Sequence, residues 1–202
     1  MIPKKILIAT NNKNKLTQFK RIFSNLGIDI EIASLKDLEI FDDIDEDKES
    51  LMENAKKKAE YFGEKYNILT LADDTGLFVD ALGGEPGVHA KRWHEGTERE
   101  RYLKILEKMK RIPTEKRTCR YAGALAMYNP KDKNFWTFEN NLEGIISERP
   151  EEGNGFGYDP IFISTKYNKF YSQLSDEERD AISHRGLGVE ELIKYFKKRK
   201  LS

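Results

Sequence analysis

Two adjacent acids, Asp73 and Asp74, directly follow an apolar run at residues 68–72 that is predicted to be a buried strand. Carboxylates at the C-terminal edge of a sheet suit Mg²⁺, a hard cation that takes oxygen ligands and is usually shared with phosphates. An Asx-type turn would use the same two residues. Because successive strand residues point to opposite faces, we expect one acid to face a ligand and the other to satisfy the backbone or a neighbouring helix.

A polar loop precedes the first predicted helix and carries groups that could bind an anion. Free backbone N–H groups and the helix dipole attract anions at such a helix start. The side chains add neutral donors and two positive charges, and they are Thr10, Asn11, Asn12, Lys13, Asn14 and Lys15. The loop is predicted to cradle a triphosphate, although an ordinary polar connection with an Asn cap would have the same composition. It is not a P-loop, because it lacks the glycines and the Gly-Lys-Ser/Thr ending.

Three further segments could carry chemistry. The acidic run at residues 42–47 is by default a solvated loop, but one of its acids could complete the coordination of a metal bound by Asp74. Residues 153–160 are glycine-rich, and their Gly-x-Gly-x-Gly spacing does not support a dinucleotide fold. Phe156 in this loop could stack on a base or could be a buried aromatic. His184 and Arg185, at the start of the last predicted helix, could donate hydrogen bonds to a carbonyl or a phosphate.

Hydrophobic periodicity predicts the framework that must position these residues, an α/β fold with a mixed sheet. Strands are predicted at residues 6–9, 28–32, 68–72, 118–128 and 134–146, and the last two should form an antiparallel hairpin. Long helices are predicted at about 16–26, 50–65 and 98–110. Ser175, with Glu178 three residues on, predicts a capping box, and Ser183 is predicted to open the last helix. There is no internal repeat or linker, so a single domain is predicted for residues 1–202.

Composition excludes several classes of function. The chain balances 35 basic against 35 acidic residues among 202, so its formal net charge is zero. A chain without excess positive charge offers no general reason to expect binding to nucleic acid or to a membrane. The single cysteine, Cys119, excludes an internal disulfide and a cysteine-based zinc site. No apolar run is long enough for a signal peptide or a membrane span, and we therefore expect a cytoplasmic protein.

Five motifs occur in a fixed order along the chain. They are Thr-x-Asn-x-x-Lys at residues 10–15, Glu-Asn-Ala at 53–55, Ala-Asp-Asp-Thr-Gly-Leu at 72–77 with Gly-Gly-x-Pro-Gly at 83–87, Gly-Phe-Gly-Tyr-Asp-Pro-Ile-Phe at 155–162 and Ser-His-Arg at 183–185. Each motif is weak alone. Together, from residue 6 to about residue 196, they resemble the inosine triphosphate pyrophosphatase family, also called the non-standard purine NTP pyrophosphatases.

This resemblance implies an elongated two-lobed fold around a long twisted mixed β-sheet flanked by helices, with the active site in the cleft between the lobes. It implies a homodimer and the Mg²⁺-dependent hydrolysis of ITP, dITP and XTP to the monophosphate and pyrophosphate, which would remove these nucleotides from the pool. Three other functions stay open. They are a pyrophosphatase for a modified pyrimidine nucleotide, a nucleotide sensor without turnover, and a structural domain with polar loops.

The resemblance also implies roles for individual residues. Thr10 to Lys15 match a triphosphate-binding loop, in which Lys15 would hold the β- and γ-phosphates. Asp74 matches a catalytic carboxylate that also binds Mg²⁺, and Thr75 matches a neighbouring substrate contact. The residues that match the base-binding positions are Phe156, Gly157, Tyr158, Asp159, His184 and Arg185.

Some positions depart from the family pattern. The acidic loop usually supplies a glutamate as the second metal ligand, and here that position falls on Asp45, with Glu46 beside it. The substrate-contacting lysine five residues before the histidine is Arg179, which keeps the charge but changes the donor geometry. The roles of His89 and Arg92, which follow the turn at residues 83–87, stay open.

Overall fold

The computed structural model describes residues 3–199, and the elements named below belong to this range. In chain order the strands are β1 (Lys5–Ile8), β2 (Glu31–Ser34), β3 (Thr70–Val79), β4 (Pro86–Gly87), β5 (Thr118–Asn129), β6 (Asn134–Ile146), β7 (Phe162–Ser164) and β8 (Lys169–Phe170). The helices are α1 (Lys13–Asn25), α2 (Leu51–Tyr66), α3 (Glu98–Lys108), α4 (Asp176–Asp180) and α5 (His184–Lys198).

The strands form one mixed sheet in the order β2-β1-β3-β5-β6-β7-β8, and β4 pairs with β3 outside this path. Strand β1 is parallel to β2 and to β3, whereas the pairs β3–β4, β6–β7 and β7–β8 are antiparallel. The two long strands β5 and β6 are neighbours in the sheet and are joined by residues 130–133, which fits the predicted hairpin. This mixed sheet with its helices confirms the predicted α/β class.

The chain divides into two compact units, and each has its own hydrophobic core. Unit 1 contains the described residues up to 74, residues 123–140 and the described residues from 183 onwards, and unit 2 contains residues 75–122 and 141–182. Phe19, Leu71 and Val189 lie in the core of unit 1, and Ile105 and Phe162 lie in the core of unit 2. An active site between two lobes stays a prediction. Nowhere in residues 3–199 is a helix both long enough and apolar enough to span a bilayer.

Helix α2 shows how local sequence produces one buried helical face. Ser50 is the N-cap, and its hydroxyl oxygen accepts the backbone N–H of Glu53 at 3.2 Å. The buried residues recur every three or four positions, and they are Leu51, Asn54, Ala55, Lys58, Ala59, Phe62 and Gly63. A lysine within such a face needs a partner, because lysine is almost never fully buried unless it is paired.

Strand β3 is longer than the apolar run predicts. The prediction that it ends at residue 72 is wrong, because the strand continues through Asp73 and Asp74 to Val79. Strand β1 pairs with β3 only as far as Ile8 beside Leu71, so the two acids lie beyond the end of their parallel neighbour. The apolar run therefore ends near the point where β1 stops pairing with β3. The second half of β3 pairs with β4 instead.

Strand β2 begins later than the alternating isoleucines predict. The predicted range was 28–32, but Ile28 and Ile30 belong to a turn in which the Ile30 N–H donates to the Ile28 carbonyl oxygen at 2.9 Å. The strand itself lies parallel to β1, with Ala33 opposite Leu7. Period-two spacing in so short a segment does not separate a strand from the turn before it.

Candidate active site

Asp73 is the centre of a buried cluster of ion pairs in unit 1. Its Oδ2 atom accepts hydrogen bonds from Arg185 Nε at 3.0 Å and from Arg185 Nη2 at 2.8 Å. Lys15 Nζ lies 3.2 Å and His184 Nε2 lies 3.4 Å from the same oxygen. The third nitrogen of Arg185, Nη1, donates to Gln18 Oε1 at 2.9 Å. Asp73 thus joins the first turns of α1 and α5, as expected for the acid that faces the scaffold.

The electrostatics of this cluster keep Asp73 charged. Burial acts to raise the pKa of Asp73, but Arg185 and Lys15 outweigh burial and hold this pKa well below its usual range. Burial lowers the pKa of Lys15, and the charge of Asp73 opposes this shift. Burial, followed by the charge of Arg185, lowers the pKa of His184 to about 4, so its imidazole is neutral near pH 7.

Asp74 belongs to a second cluster, formed with Lys58 of α2 and Glu46 of the preceding loop. Lys58 Nζ lies 2.7 Å from Glu46 Oε1 and 4.0 Å from Asp74 Oδ1. It also donates a hydrogen bond to the backbone carbonyl of Asp73 at 2.6 Å. One buried ammonium group therefore faces two carboxylates. The Asp73 carboxylate meets α1 and α5, whereas the Asp74 carboxylate faces α2, as the alternation of side chains along a strand predicts.

The two carboxylates and Lys58 shift one another's protonation. Burial raises the pKa of Asp74, while Lys58 and Lys15 oppose this shift and Glu46 adds to it. Burial acts to lower the pKa of Lys58, but the charges of Asp74 and Glu46 outweigh burial and raise this pKa. Added positive charge beside Asp74 and Glu46 would be attracted by both groups and would lower the pKa of Asp74.

Asp74 and Glu46 have the donor chemistry that Mg²⁺ prefers. This ion usually takes one or two carboxylates and completes its coordination with waters and substrate phosphates. Within residues 3–199, no three His, Cys, Asp or Glu side chains converge into a metal site, so substrate or water oxygens would have to complete the coordination. Asp45 is exposed, and its backbone carbonyl accepts a hydrogen bond from Lys57 Nζ at 2.9 Å. The structure thus brings Glu46, and not the predicted Asp45, to the lysine that faces Asp74.

The acidic run at residues 42–47 is anchored to α2, although it was expected to be a solvated loop. Asp42 Oδ2 accepts hydrogen bonds from the Tyr66 hydroxyl at 2.6 Å and from Lys65 Nζ at 2.8 Å. Asp47 Oδ1 lies 2.7 Å from Lys57 Nζ. These contacts hold both ends of the run, so the position of Glu46 follows from its neighbours as well as from Lys58.

The polar loop before α1 satisfies some of its own donors. Asn12 is the N-cap, and its Oδ1 accepts the backbone N–H groups of Asn14 at 2.9 Å and Lys15 at 3.2 Å. The Thr10 hydroxyl oxygen accepts the Asn12 N–H at 3.2 Å. The Asn-cap alternative is therefore present, and an incoming phosphate would meet the helix dipole and exposed side chains of the loop. Those side chains are Asn11, Lys13 and Asn14.

The start of α5 is held tightly within unit 1. Ser183 is the N-cap, and Gln18 Nε2 donates to its hydroxyl oxygen at 3.3 Å. Gly123 of β5 lets the imidazole of His184 approach, because a Cβ at this position would overlap the ring. His184 and Arg185 are both buried. Their predicted contacts with the base stay a prediction, since the structure directs both side chains to Asp73.

The glycine-rich loop of unit 2 is organised by Asp159. The carboxylate of Asp159 accepts hydrogen bonds from the Phe156 N–H and from the Tyr121 hydroxyl, both at 2.9 Å. Gly155 has a φ of 125°, and a Cβ there would overlap the Asp159 carboxylate. Only glycine fits this close approach, which explains the residue before Phe156.

The residues from Phe156 to Tyr158 differ in how deeply they are buried. Tyr158 lies in the core of unit 2, where its hydroxyl donates to the Ala90 carbonyl at 2.6 Å and burial raises its pKa to about 12. The Gly157 N–H donates to Glu98 Oε2 at 2.8 Å. Phe156 is half-buried and borders a cavity of about 420 Å³ next to α3. Tyr158 and Asp159 therefore support the loop, and Phe156 and Gly157 are its more accessible part.

Arg179 and Thr75, the remaining predicted substrate contacts, also lie in unit 2. Arg179 Nη2 donates to Asp176 Oδ1 at 2.7 Å. Its Nη1 atom lies close to Gly155, since a Cβ atom added to this glycine would be only 3.1 Å away. The Nε atom of Arg179 is buried, and within residues 3–199 it has no hydrogen-bond acceptor. Such a donor favours a ligand oxygen, because leaving it unsatisfied costs about 1–3 kcal/mol. Thr75 follows Asp74 in β3 and is half-buried.

Lys58 is the main candidate residue that the motifs do not single out. Its signal is present in the helix pattern, because Lys58 falls four residues after Asn54 on the apolar face of α2. A lysine at an apolar position predicts a buried acidic partner. Gln18 and Tyr121 have no comparable signal, since their partners are remote in sequence.

Comparisons with known proteins place this chain among characterised relatives. The model of the Ham1 family matches residues 6–195. A dITP/XTP pyrophosphatase from Leuconostoc mesenteroides is 37% identical over 192 residues, which cover 94% of this chain and 95% of that protein. A dITP/XTP pyrophosphatase from Oceanobacillus iheyensis is 39% identical over 197 residues, which cover 96% and 98% of the two chains.

A solved structure supports the same relationship. The Staphylococcus aureus Ham1 protein superposes with a TM-score of 0.83 at 32% sequence identity, over 97% of this chain and 100% of that chain. These matches confirm the family resemblance that the five motifs indicated. Because the family model, the relatives and the fold all agree over nearly the full length, the chain belongs to the Ham1 family.

Proposed function

We propose that this protein is a cytoplasmic, Mg²⁺-dependent pyrophosphatase that hydrolyses ITP, dITP and XTP to the nucleoside monophosphate and pyrophosphate. The names of its relatives, dITP/XTP pyrophosphatases that are 37% and 39% identical, support this activity. The structural observation that carries the proposal is the pair of carboxylates, Asp74 and Glu46, around the ammonium group of Lys58. The raised pKa of Asp74, caused first by burial, is typical of a functional acid.

The reaction forms a bond between the oxygen of water and the α-phosphorus and breaks the bond from that phosphorus to the pyrophosphate oxygen. Negative charge grows on the phosphoryl oxygens and on the leaving group, so positioning and electrostatics dominate the catalysis. Asp74 would orient the water and take up its proton. Lys15 and Lys58 supply positive charge beside Asp74, as their opposing effects on its pKa indicate.

The residues that would hold Mg²⁺ are Asp74 and Glu46. When bound, the ion neutralises charge on the phosphate oxygens of the substrate. Glu46 replaces Asp45 in this proposal, because Glu46 shares Lys58 with Asp74 and the exposed Asp45 does not.

Base recognition is proposed for the loop of unit 2. Phe156 offers a stacking surface, and Arg179 Nε offers a buried donor without an acceptor inside residues 3–199. Hypoxanthine and xanthine carry an oxygen at purine position 6, whereas adenine carries an amino group there. A donor at this position would bind the oxygen and would be left unsatisfied by adenine, which disfavours ATP.

The test is a pyrophosphate-release assay with ITP, XTP, ATP, dTTP and UTP, with Mg²⁺ and with EDTA. We expect ITP and XTP to be hydrolysed far faster than the other nucleotides, with pyrophosphate and not single phosphate as the product. The activity should stop with EDTA and return when Mg²⁺ is added. Preference for a pyrimidine nucleotide would indicate the modified-pyrimidine alternative, and ITP binding without turnover would indicate a sensor.

A further inference from the structure

Tyr121 is a residue of β5 whose hydroxyl contacts the glycine-rich loop through a hydrogen bond to Asp159. Its ring packs against Phe162 and Tyr171, with centroid distances of 4.4 and 5.8 Å. Burial, followed by the charge of Asp159, raises the pKa of the Tyr121 hydroxyl well above its usual range, so the hydroxyl stays protonated and can donate. The ring is thus held by packing, and the hydroxyl is directed at one oxygen of Asp159.

Asp159 transmits this contact to the loop. Its Oδ1 atom accepts the Tyr121 hydroxyl, and its Oδ2 atom accepts the Phe156 N–H. Gly155 packs so closely on the carboxylate that no side chain would fit between them. A change in the position of Asp159 must therefore move residues 155 and 156 of the loop.

We infer that Tyr121 is a positioning residue for base recognition, which fixes Asp159 and through it the backbone of Phe156 before the substrate binds. A loop that is already ordered loses less conformational entropy on binding and therefore binds more tightly. This inference rests on the proposed function in one respect, namely that the loop binds the base. The catalytic acid Asp74 lies in the other unit, so the chemical step itself should not depend on Tyr121.

The test is the variant Tyr121→Phe, which removes the hydroxyl and keeps the ring that packs in the core. Its matched control is Tyr128→Phe on the same strand, where the hydroxyl donates to the Glu64 carboxylate in unit 1, whereas the loop belongs to unit 2. We expect Tyr121→Phe to raise KM for ITP about ten-fold with kcat nearly unchanged, since it removes a hydrogen bond to a charged group. Tyr128→Phe should keep the KM of the wild type.

A second measurement separates this inference from the proposed activity. Hydrogen exchange of the Phe156 amide in the free protein should be faster in Tyr121→Phe than in the wild type and in Tyr128→Phe. If the wild type releases no pyrophosphate from ITP, the proposed function fails, and the exchange of Phe156 alone decides whether Tyr121 orders the loop. Wild-type KM together with wild-type exchange in Tyr121→Phe would overturn the inference.

Discussion

Asp73 and Asp74 are adjacent acids whose pKa values shift in opposite directions. Arg185 and Lys15 hold the pKa of Asp73 below its usual range against the effect of burial, whereas burial raises the pKa of Asp74. The difference comes from their partners, because Asp73 binds a guanidinium group directly while Asp74 shares the ammonium of Lys58 with a second carboxylate. Asp73 is therefore a charged anchor, and the raised pKa of Asp74 supports its proposed role as the acid that takes part in the reaction.

Replacing Asp74 by asparagine should separate activity from stability. We expect Asp74→Asn to lower kcat at least about 100-fold, because the amide keeps the shape but neither takes up a proton nor carries the charge. Circular dichroism and the melting temperature should stay close to the wild type. Asp73→Asn is the contrasting variant, and it should destabilise the fold by about 3 kcal/mol or more, since it leaves buried cations without their counter-charge. Near-normal turnover by Asp74→Asn would exclude the proposed catalytic role.

Two neighbouring acids of the loop provide a test of the metal ligand. Glu46→Gln should raise the Mg²⁺ concentration for half-maximal activity at least about ten-fold, because even residues behind a metal ligand have effects of that size. Asp45→Asn, one position away and exposed, should leave this concentration unchanged. The measurement is initial rate against Mg²⁺ concentration at saturating ITP. A larger effect of Asp45→Asn than of Glu46→Gln on this concentration would identify Asp45, and not Glu46, as the metal ligand.

His184 should make the stability of the fold depend on pH. Its pKa is lowered from 6.5 to about 4 in the folded protein, so between these values the unfolded chain binds a proton that the folded chain does not. Stability contributed by neutral His184 is complete above pH 6.5 and falls as the pH drops towards 4, by about 3 kcal/mol in total. Urea unfolding across this range should show the loss in the wild type and in His89→Gln, an exposed control. An equal loss in His184→Gln would contradict the assignment.

At the scale of elements, helix starts bring the charged groups of unit 1 together. Helix α1 contributes Lys15 and Gln18, and α5 contributes His184 and Arg185. Lys15, His184 and Arg185 contact the Asp73 carboxylate of β3, and Gln18 contacts Arg185. The hydrogen bond from Gln18 to the Ser183 hydroxyl joins the two helices directly. The positions of these side chains therefore depend on how well α5 begins at Ser183.

The cap of α5 can be tested against the cap of α4. Ser183→Ala should lower the free energy of unfolding by about 1–2 kcal/mol, because it removes the N-cap and leaves a buried amide of Gln18 without this acceptor. Ser175 is itself exposed, and Ser175→Ala removes the cap of a helix of five residues, none of which is fully buried, so this change should cost less. Chemical denaturation of both variants measures the difference. A larger cost for Ser175→Ala would show that the contact with Gln18 contributes little.

At the scale of the whole molecule, each of the two units has a separate core and a separate part of the predicted chemistry. The clusters of Asp73 and Asp74 lie in unit 1, and the loop with Phe156 lies in unit 2. The family resemblance predicts a second level of assembly, a homodimer. The chain has a formal net charge of zero, so two copies do not repel each other through their net charge.

Association of the chain should be visible in solution. We predict that sedimentation equilibrium at micromolar concentration gives twice the mass of the chain. A single species with the mass of one chain at all concentrations would contradict the homodimer. In the same solutions the protein should not shift a DNA duplex in a gel at about 0.1 M salt, since it has no excess positive charge.

The sequence by itself determined the features that depend on neighbouring residues. The α/β class, strands β5 and β6, the capping box at Ser175 and the start of the last helix at Ser183 agree with the structure, because periodicity and capping are local. The ordered motifs also identified the family. Alternation along a strand correctly predicted that the carboxylates of Asp73 and Asp74 meet different partners, even though the predicted end of that strand was wrong.

Only the tertiary structure decided which side chains meet. Asp73 and Arg185 are 112 positions apart, and their contact depends on the packing of α5 against the sheet. Glu46, and not Asp45, contacts the Lys58 ammonium that faces Asp74, and no local pattern in the sequence shows this contact. The hydrogen bond from Tyr121 to Asp159 likewise joins residues that are 38 positions apart. Partner choice follows from the register of strands and the packing of helices, and these are set by the whole chain and not by any short segment of it.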